Sequence, residues 1–231
     1  MSTGNPMWRG AWLTVATLFG GLLAGILVGN LVFKILPGSS VMNPQLLYAV
    51  IAAIPTLIVI AASSGAWGVN MARLAGESDT RRMAKAGAFG FAPITLILAF
   101  ALLGLEPLAV ERFGEQVPIH RVFTLLFVPT AFLISGTSAW AIGVGLRDRA
   151  LARSLFWRVG ASGALAFLTV NLVMEAAGWV VGAPGAAERA TMLTVMSLGN
   201  LAAALAGGAV LGAALSRRTR AHPIPAAGPP A

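Results

Sequence analysis

The chain has 231 residues and a formal net charge of +8; hydrophobic residues make up 57% of it and charged residues only 10%. That balance leaves too little polar surface to cover a water-soluble fold of this size, so lipid is the expected solvent and a single membrane domain the expected organisation. Cysteine is absent, which excludes disulfides, thiolate metal sites and cysteine nucleophiles, and the basic residues fall in short clusters between apolar runs, which argues against a nucleic-acid partner.

Six segments meet the requirement of about 20 mainly apolar residues for a spanning helix. The first, 11–36, follows Arg9 as a leader peptide would, but it runs on without a cleavage site and is long enough to cross. Gly21, Gly25 and Gly29 form a small-residue stripe on it, a pattern that lets helix backbones approach closely, and Lys34 lies near its end. Pro37-Gly38 and Asn43-Pro44 then break the chain. The second segment, 46–74, holds Pro55, which frees a backbone carbonyl and predicts a kink, with Ser63 and Ser64 available to rebond such a group or to line a path. The third, 86–110, has Glu106 towards its end. The fourth, 121–146, repeats the proline and hydroxyl pattern of the second with Pro129, Thr137 and Ser138.

The fifth segment, 155–181, carries Asn171 and Glu175, and the loop after it is broken by Gly182, Pro184 and Gly185. The sixth, 190–215, carries Asn200 and a second small-residue stripe, Ala204, Gly208 and Gly212. The membrane domain is thus expected over 1–220, and the Pro- and Ala-rich stretch 221–231 reads as a disordered tail. Each stripe serves either contact between helices of one subunit or a dimer interface; contact within the subunit is the commoner use.

An even alternation of helices sorts the sixteen Lys and Arg residues onto two sides. Arg9, Arg73, Arg81, Arg82, Lys85, Arg147, Arg149, Arg153, Arg158, Arg217, Arg218 and Arg220 share one side; Lys34, Arg112, Arg121 and Arg189 fall on the other. Basic loops stay where the chain is made, which predicts a cell-membrane protein with both termini cytoplasmic. Trp8, Trp12, Trp157 and Trp179 lie near predicted helix ends, where amphipathic rings suit the headgroup region.

The second and fourth segments superpose without a gap, Pro55-Thr56 on Pro129-Thr130, Ile60 on Ile134, Ser64 on Ser138 and Arg73 on Arg147. With Lys85-Ala86-Gly87-Ala88 on Arg158-Val159-Gly160-Ala161, and Asn-Leu-Val shared by the first and fifth segments, this suggests three helical hairpins about a pseudo-threefold axis. Shared Gly, Ala and Leu content is the competing explanation. The fold expected is an all-α bundle of six transmembrane helices.

Ionisable groups at membrane depth are costly and mark candidate sites. Glu175 lies seventeen residues after Arg158, about 25 Å at a helical rise of 1.5 Å per residue, and so reaches the outer leaflet. Lys34 and Glu106 reach similar levels, so an ion pair between Lys34 and Glu175 at an outer vestibule is one arrangement, and separate snorkelling to the headgroups is the other. Asn171 and Asn200 sit near mid-membrane, as interhelical glue or as the lining of a route.

The only histidines, His120 and His222, lie at an interface and in the tail, so paired haem ligation is excluded, and neither a His-Glu-x-x-His zinc motif nor a phosphate-binding glycine loop is present. No Asp falls within a span. Neither cofactor, metal nor enzymatic activity is expected. Two functions fit: a small permease or membrane-embedded transport subunit for a small solute or ion, with Glu175, Asn171, Asn200, Glu106 and Lys34 along its path, or a non-transporting accessory subunit packing through its small-residue faces in a homo-oligomer or on other membrane subunits.

Overall fold

A computed structural model describes residues 5–35, 44–113, 119–179 and 186–221, and every regular element among them is helical. Helix α1, Pro6–Thr14, starts where Asn5 accepts a hydrogen bond from Met7 N at 3.0 Å and Pro6 supplies a preset first position. It continues through a π-helical turn, Val15–Phe19, into α2, Gly20–Ile35. The hydroxyls of Thr14 and Thr17 bond back to the carbonyls of Gly10 and Leu13 at this point, a habit that loosens and bends helices. Each added residue turns the helix face by about 100°, and the two halves have different partners: α1 packs on α7 and α2 on α3. The apolar run in the sequence predicts an unbroken α-helix here, because nothing in its hydropathy encodes the wider turn.

The remaining helices are α3, Pro44–Ala75; α4, Thr80–Phe113; α5, Ile119–Gly145; α6, Arg149–Ala176; and α7, Ala186–Ala221. Their ends follow ordinary capping chemistry. Gly76 (φ 65°) closes α3 and Gly178 (φ 74°) follows α6, while Asp148 caps α6 by accepting from Leu151 N at 2.8 Å. At the end of α5 the left-handed position is filled by Arg147 instead (φ 58°).

Consecutive rods pack side by side, α3 on α4, α4 on α5, α5 on α6 and α6 on α7, and α1 on α7 closes the ring. Small residues set that closure. A Cβ added to Gly10 would lie 2.7 Å from Gly212 Cα, and one on Gly208 would lie 2.8 Å from Gly10 O, so only glycine allows this approach. The main apolar core gathers at the arginine-rich end, where Met71, Met83, Ile142, Leu155 and Leu215 are fully buried. A smaller core of Phe123, Phe167 and Met196 occupies the opposite half between α5, α6 and α7.

Five helical stretches are long and apolar enough to cross a membrane: Pro6–Gly29, Ile54–Ala75, His120–Gly145, Arg149–Ala176 and Thr194–Arg220. Only 28% to 39% of each is buried inside the bundle, and the outward surface carries Leu27, Ile58, Phe89, Leu125 and Leu165. Water would penalise such a surface heavily, whereas lipid accepts it. Trp8, Trp12, Trp157 and Trp179 are all more than half exposed near rod ends. The remaining rod, α4, is 34 residues long, and the side chains of 99–110 on it lie outside the described residues. So do residues 36–43, 114–118, 180–185 and 222–231, on which the expected chain breaks and disordered tail fall.

Candidate functional site

A cavity of about 100 Å³ lies where the rods meet. Its polar wall is built from Thr14 on α1, Thr95 on α4, Ser135 and Ser138 on α5 and Asn200 on α7, with Trp67 of α3 beside them. The rest, and most of the lining, is apolar, including Phe19 from the π-helical turn, Phe91 and Leu211, and among the described residues no ionisable side chain lines it.

Three of these polar groups, Thr14, Trp67 and Ser138, are held in place by hydrogen bonds. The Trp67 indole N–H donates to Thr14 Oγ1 at 3.0 Å, and Thr14 in turn donates to Gly10 O at 2.8 Å. Trp67 is 2% exposed, so this bond satisfies a donor that water cannot reach. Ser138 donates to Ile134 O at 2.6 Å. Thr95 differs. Helical threonines 14, 124, 130, 137 and 169 each bond back to the carbonyl four residues earlier, whereas Thr95 Oγ1 is buried with no partner among the described residues. Such a group costs about 1–3 kcal/mol unless a water or ligand satisfies it. Asn200 makes no side-chain hydrogen bond to another described residue, so its amide also remains available at the cavity wall.

Glu175 sits elsewhere, in the last turn of α6. Arg121, near the start of α5, donates to Glu175 Oε1 from Nε at 2.8 Å and from Nη2 at 2.6 Å. His120 Nε2 is 3.5 Å from the same oxygen, close enough for an ion pair but outside hydrogen-bonding geometry. The Arg121 side chain is 59% exposed and that of Glu175 22%, which places the cluster at the end of the bundle opposite the arginine-rich loops, one turn from the exposed Trp179. Glu175 thus has a partner that the sequence pattern does not single out, because the pairing depends on α5 lying antiparallel beside α6. The side chains of Lys34 and Glu106 lie outside the described residues.

Asn171 is 5% exposed and belongs to the packing between helices. Its Nδ2 donates to Phe167 O at 2.8 Å, and Thr124 Oγ1 approaches its Oδ1 at 3.5 Å. Of Asn171 and Asn200, only Asn200 lines the cavity. Both glycine stripes press on neighbours in the same chain: Gly21 against Ser63, Gly25 against Ile60 and the Thr56 carbonyl, and Gly208 and Gly212 against α1. Thr56 also donates to Gly25 O at 3.0 Å. Gly29 is buried, and Ala204 lines the cavity.

Pro55 and Pro129 lie inside continuous helices. The expected rebonding of their freed carbonyls by the later hydroxyl pairs does not occur. Ser63 and Ser64 both donate to Ile60 O, Thr137 to Leu133 O and Ser138 to Ile134 O, all a turn or more beyond the carbonyls that the prolines release. Local back-bonding within one turn is simply closer at hand. Thr14, Trp67, Thr95 and Ser135 carry no sequence signal of a shared site; the one clue is that each polar group falls well inside an apolar run. Among the described residues no cluster of three or more metal-ligating side chains is present. Comparison with protein families, with characterised proteins and with solved structures finds no match.

Proposed function

We propose that this chain is a small six-span permease, with α4 as the sixth span and the arginine-rich ends on the cytoplasmic side, that passes a small uncharged polar solute. The observation that carries the reading is the central cavity, where the Thr95 hydroxyl has no partner among the described residues and Asn200 lines the wall. A charged solute would lose its hydration against a wall with no counter-charge, at a cost of many kcal/mol, whereas a neutral one needs only the hydrogen bonds that this wall offers. About 100 Å³ suits a molecule of a few heavy atoms or several waters.

The packing supports one state of a gated route. Met71, Met83, Ile142 and Leu215 fill the space between the cavity and the arginine-rich end, and Arg82, Arg218 and Thr219 tie the rod ends together by bonding to the carbonyls of Gly145, Leu146 and Leu74. Passage then requires those ends to part. The accessory-subunit alternative draws less support, since both small-residue stripes are occupied within the chain.

The test is light-scattering of proteoliposomes under gradients of urea, glycerol and potassium chloride. Wild-type protein should speed equilibration of at least one neutral solute and not of the salt. Asn200→Leu and Thr95→Val should remove that flux while the protein still folds. No acceleration for any neutral solute, or flux untouched by both changes, would overturn the proposal.

A further inference from the structure

A groove of about 800 Å³ lies between the end of α5 and the start of α6, at the arginine-rich end of the bundle. Arg147, Arg149 and Arg153 line its mouth, while Thr137, Trp140, Val144 and Phe156 continue it towards membrane depth. Trp140 is 49% and Val144 45% exposed, so the apolar part is open to the surroundings and not filled by the protein. Its floor is closely packed: a Cβ on Gly143 would lie 2.7 Å from Ala152 Cβ, and the Phe156 ring meets that of Trp157 edge-on with ring centres 5.3 Å apart.

Charge and backbone point the same way. None of the three arginines forms an ion pair with a described carboxylate; Asp148, which also lines the groove and leaves the three guanidinium charges in excess, is engaged as the cap of α6. Arg147 occupies a left-handed position (φ 58°) of the kind that Gly76 and Gly178 fill at other helix ends. Glycine would sit there without strain, so the position favours the guanidinium at some cost to the backbone.

We infer that this groove binds an anionic phospholipid, with the phosphate held by Arg147, Arg149 and Arg153 and an acyl chain lying along Val144, Trp140 and Phe156. Guanidinium groups pair with phosphate oxygens through several charge-assisted hydrogen bonds, and a basic pocket between membrane helices is the expected form of such a site. A free phosphate would leave the apolar part of the groove empty, which is why a lipid is the occupant. The assignment is independent of any transport activity.

The full chain, delipidated in mild detergent, is titrated with phosphatidylglycerol or with phosphatidylcholine of the same chains, and bound lipid is counted by native mass spectrometry alongside the melting temperature. Phosphatidylglycerol should be retained and should raise the melting temperature; phosphatidylcholine should do neither. Changing Arg147, Arg149 and Arg153 together to Gln should weaken phosphatidylglycerol binding on the order of 100-fold, while Arg217→Gln with Arg220→Gln should leave it within a few-fold. Arg147→Gly keeps a test available if the triple change misfolds, because it relieves the backbone; it should bind about five-fold more weakly yet melt no lower. Equal lipid retention by wild type and the triple variant would overturn the site. So would equal protection by inorganic phosphate, or arginine-dependent binding of poly-glutamate with no preference for the anionic lipid.

Discussion

Two glycines on the transmembrane rods should respond differently to the same methyl group. At Gly208 a Cβ would lie 2.6 Å from Thr14 Oγ1, 2.7 Å from Thr14 Cβ and 2.8 Å from Gly10 O, all well inside the 3.5–4.0 Å or so at which such atoms attract. Two of those atoms belong to a side chain that already anchors Trp67, and the third is backbone, so α1 and α7 must separate; overpacking of this kind costs about 1–3 kcal/mol. At Gly20 the nearest atom, Val15 O, is 3.8 Å away, so alanine meets no clash and gains helix propensity of about 0.5–1 kcal/mol. The propensity gain is common to both helix positions, so Gly208→Ala and Gly20→Ala should differ by the overpacking cost, about 1–3 kcal/mol, with Gly208→Ala the less stable. Unfolding by sodium dodecyl sulfate in mixed micelles, followed by far-ultraviolet circular dichroism, measures the difference, with light scattering to report oligomeric state. Equal stability of the two variants would refute the ring closure through α1 and α7. A change in oligomeric state without a change in monomer stability would assign the stripe to a second copy.

Other consequences follow from single contacts. Thr14→Val leaves the buried Trp67 indole without its acceptor and should cost about 1–2 kcal/mol, a loss that shrinks when Trp67→Phe is already present, as a double-mutant cycle in the same micelles would show. Thr95→Val removes an unpartnered buried hydroxyl, so it should leave stability unchanged or raise it by about 1 kcal/mol while solute flux falls; a marked drop in stability would mean that Thr95 is already bonded. Glu175→Gln should cost less than about 1 kcal/mol, because Arg121 is largely exposed and solvent screens the pair. Unfolding of Glu175→Gln and wild type at low and high salt checks this, and a large loss would place the pair out of contact with solvent.

Several features of the chain are visible in residue order alone. Runs of apolar residues longer than about 20 give helices that lipid can surround, Pro and Gly mark where rods stop, and the arginine clusters mark one end of the bundle. The prolines and hydroxyl pairs are visible as well, but their bonding is not: each hydroxyl takes the carbonyl nearest along its own turn, as Ser64 does with Ile60 and Ser138 with Ile134. The candidate site was only partly legible for a related reason. Glu175 and Asn171 stand out because polarity inside an apolar run is costly, yet the structure gives one to Arg121 and the other to the packing around Phe167. Thr95 and Trp67, which face the cavity, look from the sequence like ordinary residues of apolar helices.

Hydropathy is a property of each segment taken singly, so residue order is enough to make the chain helical and apolar enough for a membrane. Which faces meet depends on the angular position of every residue about its rod, and a single wider turn at Val15–Phe19 changes that angle for everything after it. It is the packing of the rods that closes α1 on α7, brings the Trp67 indole N–H to Thr14 Oγ1 as a hydrogen-bond donor, and leaves a small, mainly apolar cavity with a few polar groups where the rods converge.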